Sequence, residues 1–181
     1  MVILDREEMK RRLLSAAVML LGIVVVVGFF AVRTLALSPA DATCDQSLWT
    51  HVYHGKKFAT AQDRLKPIDE CKTVTGTLHF VRYEADGDAH LRLDVDPEFK
   101  NLLNPKNAAE KNMLVVEFMC EKTPTQTDTV DEGVCKTWQQ LIYKASMNGQ
   151  HVSVTGAYVE DEEHGWREIH PVTSIVVTPA Q

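Results

Sequence analysis

The sequence predicts a mainly β domain preceded by one N-terminal transmembrane helix, and three observations predict it. Residues 13–32 form a long uncharged apolar run, five β-type runs follow between residues 71 and 177, and all four cysteines come after the apolar run. The chain of 181 residues divides into a cytoplasmic basic segment (1–12), a transmembrane anchor (13–37), a linker (38–46) and an extracytoplasmic domain (47–181).

Leu13–Val32, LLSAAVMLLGIVVVVGFFAV, holds 20 residues without a charge. At about 1.5 Å per residue this matches a hydrocarbon core of roughly 30 Å. Lys10, Arg11 and Arg12 lie just before it and only Arg33 follows closely, so the positive-inside rule keeps the N-terminus in the cytoplasm. Ala40-Asp41-Ala42 has the form of a signal-peptidase site, but the run is longer than the usual apolar stretch of about 7–15 residues. An uncleaved anchor in the cell membrane is the expectation. Both readings place the domain outside the cytoplasm.

Charge is unevenly divided. Residues 1–37 carry five basic and three acidic side chains, net +2, which leaves 14 basic and 22 acidic in 38–181, net −8. An acidic domain repels a phosphate backbone, which counts against general nucleic-acid binding. The expected partners are the lipid bilayer, through 13–37, and a protein or small polar ligand. Cys44, Cys71, Cys120 and Cys135 form an even set in an oxidising setting, so disulfides are expected. The preferred pairing is Cys44–Cys71 with Cys120–Cys135, because it ties the pre-domain segment to the first strand and closes the loop after the third. Zinc-finger spacing is absent.

In chain order, Ser47 caps a short helix reaching Phe58, with Leu48, Trp49, Val52 and Tyr53 on its apolar side. Cys71–Glu84 is a long β-run, rich in Val, Thr and aromatic residues, with a bulge or bend expected at Gly76. Asp86-Gly87-Asp88 makes a tight turn into strand Ala89–Val95, which sends Leu91, Leu93 and Val95 inward and His90, Arg92 and Asp94 outward. One helical turn near Phe99–Leu103 precedes a third strand, Asn112–Cys120, with Leu114, Val116 and Phe118 inward. Thr129-Val130-Asp131-Glu132 reads as a capping box opening a helix whose apolar face is Val134, Trp138, Leu141 and Ile142, ended by Asn148-Gly149. Strands His151–Val159 and Trp166 onward close the domain. Five strands, the first long and bent, with a helix between the third and fourth, give the order of a five-stranded OB-type Greek-key barrel.

Three segments carry a resemblance: Cys71-Lys72-Thr73-Val74-Thr75-Gly76, Asp86-Gly87-Asp88-Ala89-His90, and His164-Gly165-Trp166-Arg167-Glu168-Ile169-His170-Pro171. With the opening Ser47–Tyr53 they resemble a group of membrane-tethered or secreted OB-fold-type proteins of archaea and bacteria, marked by the closing H-G-W-x-E-I-H-P. The resemblance implies the fold and leaves the activity open.

The candidate site lies at the end of the chain. A charged hairpin tip, Glu160–Gly165, runs into the closing strand, on which Trp166, Glu168 and His170 alternate with Arg167 and Ile169. Side chains on a strand alternate faces, so an aromatic ring, a carboxylate and an imidazole share one, expected to be the outer one. Glu168 and His170 are about 6.5–7 Å apart by strand rise, close enough to converge on one ion or polar ligand. His164 is a third candidate from the hairpin tip and His90 a fourth from another strand.

Three functions follow. The first is a non-catalytic binding or interaction domain gripping its ligand with Trp166, Glu168, His170 and His90. In that reading Glu168 pairs with Arg92 or Arg167. The second is a metal-binding domain in which a divalent metal ion is held by His164, Glu168, His170 and His90. The third is a metal-dependent hydrolase, phosphodiesterase-like, that adds Asp86 and Asp88, although no arginine pair for a phosphoryl group is identifiable. Neutral imidazole is required for ligation, so metal binding should weaken below about pH 6. The Asp86-Gly87-Asp88 turn and the acidic tip otherwise read as solvated turns.

Overall fold

The computed structural model describes residues 44–125, 135 and 139–178, which lie within one compact unit, Ala42–Gln181. The predicted anchor at 13–37 lies outside the described residues. Among the described residues, no helix is long and apolar enough to cross a membrane.

Five strands build the domain: β1 (Leu65–Tyr83), β2 (Ala89–Val95), β3 (Leu114–Phe118), β4 (His151–Asp161) and β5 (Arg167–Val177). They form one mixed sheet that closes into a ring in the order β1-β2-β3-β5-β4 and back to β1. All neighbours are antiparallel except β3 and β5, which pair in parallel through Val115 with Glu168 and Val116 with Ile169. The length of β1 makes closure possible. Its first part pairs with β4 from Leu65 opposite Asp161, and its second part pairs with β2 up to Tyr83 opposite Ala89.

β1 begins earlier than its composition suggests, because Lys66, Pro67 and Asp69 pair only toward β4, Lys66 and Pro67 exposed and Asp69 half-buried. Gly76 is not a bulge: it pairs with both Val95 and Val152, and a Cβ there would lie 2.8 Å from Val95 Cα. The register shifts fall elsewhere on β1, at Pro67–Lys72 and between Phe80 and Arg82. Gly156 has the same function where β5 crosses β4, since a Cβ there would lie 2.6 Å from Ile169 Cγ2.

Inside the ring, Val74, Leu78, Leu91, Leu93, Leu114, Val116, Phe118, Val154 and Ile169 form the main core, with the alternation predicted for β2 and β3. A second cluster lies outside it. Trp49, Val52, Ala61 and Leu65 pack with Met119, Ala157 and Val159. The segment Cys44–Arg64 builds this cover from a 3-10 helix, Gln46–His51, and a one-turn helix α1, Ala61–Arg64. Asp45, rather than Ser47, caps the first by accepting from Ser47 N, and Thr60 caps α1 by accepting from Asp63 N.

The helix predicted between the third and fourth strands is corrected toward its end: Cys135 is helical, but the helix does not continue to Asn148. Residues 139–144 are not helical, and Leu141 has a left-handed φ of 53° and is exposed. The Glu121 carboxylate accepts from Ile142 N at 2.9 Å and Tyr143 N at 3.3 Å, and Gln140 donates to Val172 O. The backbone is thus held by neighbouring segments instead of by its own preceding turn. A short 3-10 turn, Ala145–Met147, follows. Thr129, Val134 and Trp138 lie outside the described residues.

Both disulfides are formed as paired in the sequence, Cys44–Cys71 with Cα atoms 5.3 Å apart and Cys120–Cys135 at 5.1 Å. One anchors the start of the cover to β1 and the other anchors the loop after β3. Loops of these lengths contribute on the order of 3 kcal/mol each through restriction of the unfolded chain. Replacing either pair with serines should lower the denaturant midpoint without changing far-UV circular dichroism. Peptide mapping without reduction should recover the two linked pairs, and free thiols would contradict the pairing.

Candidate metal centre

β5 presents two faces as its alternation predicts, with Ile169 in the ring core and Trp166, Glu168 and His170 on the opposite side. That side is not an exposed surface. Glu168 is 0% exposed, His170 and His90 are each 1%, and Trp166 is 9%. The outer face of the closing strand is therefore corrected to a buried polar layer. The cover segment and the loop after β3 close over it, and the second apolar cluster holds them there.

Three strands supply the layer. His90 on β2 stands directly opposite Glu117 on β3, and the parallel pairing of Val115 with Glu168 continues to set Glu117 beside His170 on β5. Glu117 Oε1 lies 2.7 Å from His90 Nδ1, and Glu117 Oε2 lies 3.3 Å from His170 Nδ1. Glu84, from the turn between β1 and β2, brings Oε1 to 3.6 Å from His90 Nδ1. On the far side of the ring, His90 Nε2 lies 3.4 Å from Glu110 Oε2, which Arg92 Nε holds at 2.6 Å.

Glu168 does not pair with Arg92 or Arg167. Its two oxygens take Trp166 Nε1–H at 2.7 Å and His170 Nδ1 at 3.0 Å. The Asp86-Gly87-Asp88 turn is not solvated either. Asp88 is buried, its Oδ1 accepting from Cys120 N at 2.6 Å, and Asp86 Oδ1 accepts from Asp88 N.

A second hub lies beside the first, at Asp161. Its Oδ2 accepts from Arg64 Nη2 and pairs with His164 Nδ1, both at 2.8 Å, while Oδ1 accepts from Glu163 N and His164 N. Arg64 is buried and also donates to Tyr53 O. His164 stacks on Trp166 with ring centroids 4.2 Å apart, and Trp166 meets His90 edge-on at 6.2 Å. A pocket of about 280 Å³ opens between the hubs, lined by Tyr53, Arg64, Arg82, Glu84, Asp86, His90, Glu117, Glu163, His164 and Trp166.

Crowded charges set the protonation states. Burial works against the ionised form of Glu117, but the His170 charge and the His90 hydrogen bond outweigh it and hold the carboxyl at about 2. Burial likewise opposes the charged form of His170, yet Glu117 and the hydrogen bond to Glu168 raise it to about 9. His90 rises in the same way, burial being overcome by its hydrogen bond to Glu117. Burial pushes Asp86 up to about 6 and, with the Asp86 charge, raises Asp88 well above the carboxylate range. Glu168 also rises, chiefly through burial.

Among the described residues, two sets of side chains can each bring three ligand atoms together: Glu84, His90 and Glu117 at the pocket, and Asp88, Glu117 and His170 beneath it. A third grouping of Asp88 with Cys120 and Cys135 offers no thiolate, because those cysteines are joined to each other. Of the four metal ligands expected from the sequence, His90 and His170 join these sets. Glu168 instead orients His170, and His164 is committed to Asp161 and Trp166. Glu117, Glu84 and Glu110 went unrecognised in the sequence. The one local signal was a carboxylate facing outward within the apolar run Leu114–Met119, on the same side as the outward-facing residues of β2.

Comparison of the chain with family models, with curated proteins and with solved structures returns no match.

The Asp161 hub has a pH signature. Burial opposes the charged form of Asp161, but hydrogen bonds from His164 and Arg64 and their charges hold it below the usual carboxylate range. Its contribution is therefore complete above the unfolded value of about 3.9 and is lost as pH falls through the folded value. His164 is raised by its hydrogen bond to Asp161. Its contribution is complete below about 6.5 and is lost as pH rises through the raised value. Asp161→Ala leaves Arg64 buried without its carboxylate and should cost roughly 3–5 kcal/mol in urea unfolding at pH 5.5. His164→Ala should cost less, and its cost should shrink between pH 5.5 and pH 9.

Proposed function

We propose that this is a membrane-anchored protein whose extracytoplasmic domain, an OB-type Greek-key barrel, binds a divalent metal ion at Glu84, His90 and Glu117. One observation carries the reading. His90 Nδ1 has carboxylate oxygens of Glu117 and Glu84 at 2.7 and 3.6 Å, while its other nitrogen faces Glu110, itself held by Arg92. Donors on one ion, each about 2.0–2.2 Å from it, sit about 3–3.5 Å apart, so little movement is needed. A carboxylate on the far nitrogen is the usual support for a ligating histidine, fixing its tautomer and orientation. Mixed oxygen and imidazole donors suit Zn²⁺ or Mn²⁺.

Several features support the barrel and its location. The ring order β1-β2-β3-β5-β4, with a long first strand shared between β2 and β4, fits the OB type. Two disulfides suit an oxidising compartment, and the uncharged run Leu13–Val32 suits an anchor. The H-G-W-x-E-I-H-P segment carries the resemblance to tethered OB-type proteins, and its Trp, Glu and second His orient one another at the start of β5.

A second reading, metal-dependent hydrolysis of a phosphodiester, draws on one finding: Arg64 and Arg82 line the same pocket as the metal ligands. Both guanidiniums are already paired, Arg64 with Asp161 and Arg82 with Glu84 at 2.5 Å. Binding without turnover is the primary reading for that reason.

Full-length protein, purified in detergent and stripped with a chelator, should take up Zn²⁺ or Mn²⁺ by calorimetric titration. His90→Ala should lose at least tenfold in affinity for the pocket ion while keeping its circular dichroism. Binding should weaken at low pH, and the raised His90 value places that loss above the pH expected for a free imidazole. Wild-type protein that retains no metal would overturn the reading. For the anchor, carbonate extraction should leave the protein in the membrane pellet, whereas a soluble form beginning near Thr43 would mean a cleaved signal.

A further inference from the structure

We infer that a second divalent cation binds at His170, Asp88 and Glu117, making Glu117 the bridge of a two-metal centre. The inference rests on the proposal that Glu84, His90 and Glu117 hold the first ion.

The starting point is an orphaned nitrogen. His170 is 1% exposed, and its Nδ1 meets two carboxylates, Glu168 Oε1 at 3.0 Å and, less closely, Glu117 Oε2 at 3.3 Å. Glu168 cannot turn away, because its other oxygen accepts from Trp166 Nε1 at 2.7 Å. That arrangement puts the Nδ1 proton toward Glu168 and turns Nε2 to the opposite side. Among the described residues, Nε2 has no hydrogen-bond partner, although it is fully buried. A buried polar atom without a partner is costly.

Nε2 faces Asp88 Oδ2 at 4.0 Å. This is too long for a hydrogen bond, so placing a proton on Nε2 would not repair the defect. It is within the reach of two donors on one ion, each about 2.0–2.2 Å from the metal. Asp88 offers the facing oxygen: its Oδ1 accepts from Cys120 N, and among the described residues Oδ2 takes no hydrogen bond. Glu117 completes the set, and ligand atoms of the three side chains lie within 4.8 Å of one another.

Glu117 is also suited to bridging. Oε1 lies 2.7 Å from His90 Nδ1 and Oε2 lies 3.3 Å from His170 Nδ1, so Oε2 has only to swing toward the Nε2 side of the His170 ring to share an ion with Asp88. One carboxylate thereby serves two triads with different oxygens. Carboxylate-bridged ions typically sit about 3.5–4 Å apart. His170 would then be supported as His90 is, by a carboxylate on its far nitrogen: Glu168 for one, Glu110 for the other.

Mn²⁺ is the probe. Full-length protein in detergent should bind two equivalents, and its electron paramagnetic resonance spectrum should show a spin-coupled pair in place of the six-line signal of isolated Mn²⁺. His170→Ala should bind one equivalent and give the six-line signal, and so should Asp88→Asn, which retains side-chain volume in case the alanine variant does not fold. His90→Ala should lose the other ion. A single equivalent with a six-line spectrum in wild-type protein would overturn the second ion while leaving the first intact. Loss of one common ion in both histidine variants would overturn it as well, and wild-type protein without any Mn²⁺ would overturn both proposals.

Discussion

Glu117 places a carboxylate in a buried layer between two imidazoles, and the surrounding structure is arranged to make that tolerable. Left alone, a charge at such a depth would cost several kcal/mol. His90 and His170 meet its two oxygens, and each histidine is backed by a further carboxylate, Glu110 or Glu168. Those carboxylates are held in turn by Arg92 and Trp166. The network runs from one end of the β2–β3–β5 surface to the other, and removing a member leaves each neighbour short of one partner.

Such a layer needs a lid. The ring core of the domain would be complete without Cys44–Arg64, but the polar face of β3 and β5 would then lie in water. Trp49, Val52 and Ala61 supply the apolar contact that seats the cover, and the Cys44–Cys71 disulfide fixes its start. Arg64 then reaches from the end of α1 into Asp161 at the β4–β5 turn. The cover and the site are therefore linked: the residue that closes the helix also lines the pocket. Burial, in turn, gives the charges their weight, because electrostatic interactions strengthen as water is excluded.

Polar groups in this position offer two uses. They can specify one arrangement of the ring, or they can hold an ion, and carboxylates outnumber cations here. Burial raises the carboxyls of Asp86, Asp88 and Glu168, so their charged forms are penalised where positive charge is short. A divalent ion would supply that positive charge and engage several oxygens at once, which suits the proposed metal centre.

Local sequence determined much of this. Alternation placed Trp166, Glu168 and His170 on one face of the last strand, and it sent Leu91, Leu93, Leu114, Val116 and Phe118 inward, because side-chain direction on a strand follows from a period of two. Cysteine spacing and their order along the chain led to the observed pairing. What lay beyond reach was the depth of that face. Exposure depends on what packs above a strand, and the cover comes from residues more than a hundred positions earlier. The partner of His90 was equally hidden, since Glu117 becomes its neighbour only through the pairing of β2 with β3 across a long connection. The predicted helix turn at Leu141 and Ile142 failed for a related reason. Apolar spacing cannot show that Glu121 takes the backbone N–H groups of Ile142 and Tyr143 for itself. Tertiary structure alone decided which charges met, because the residues that balance a buried charge are chosen by strand register and coverage, and neither is written in the local pattern.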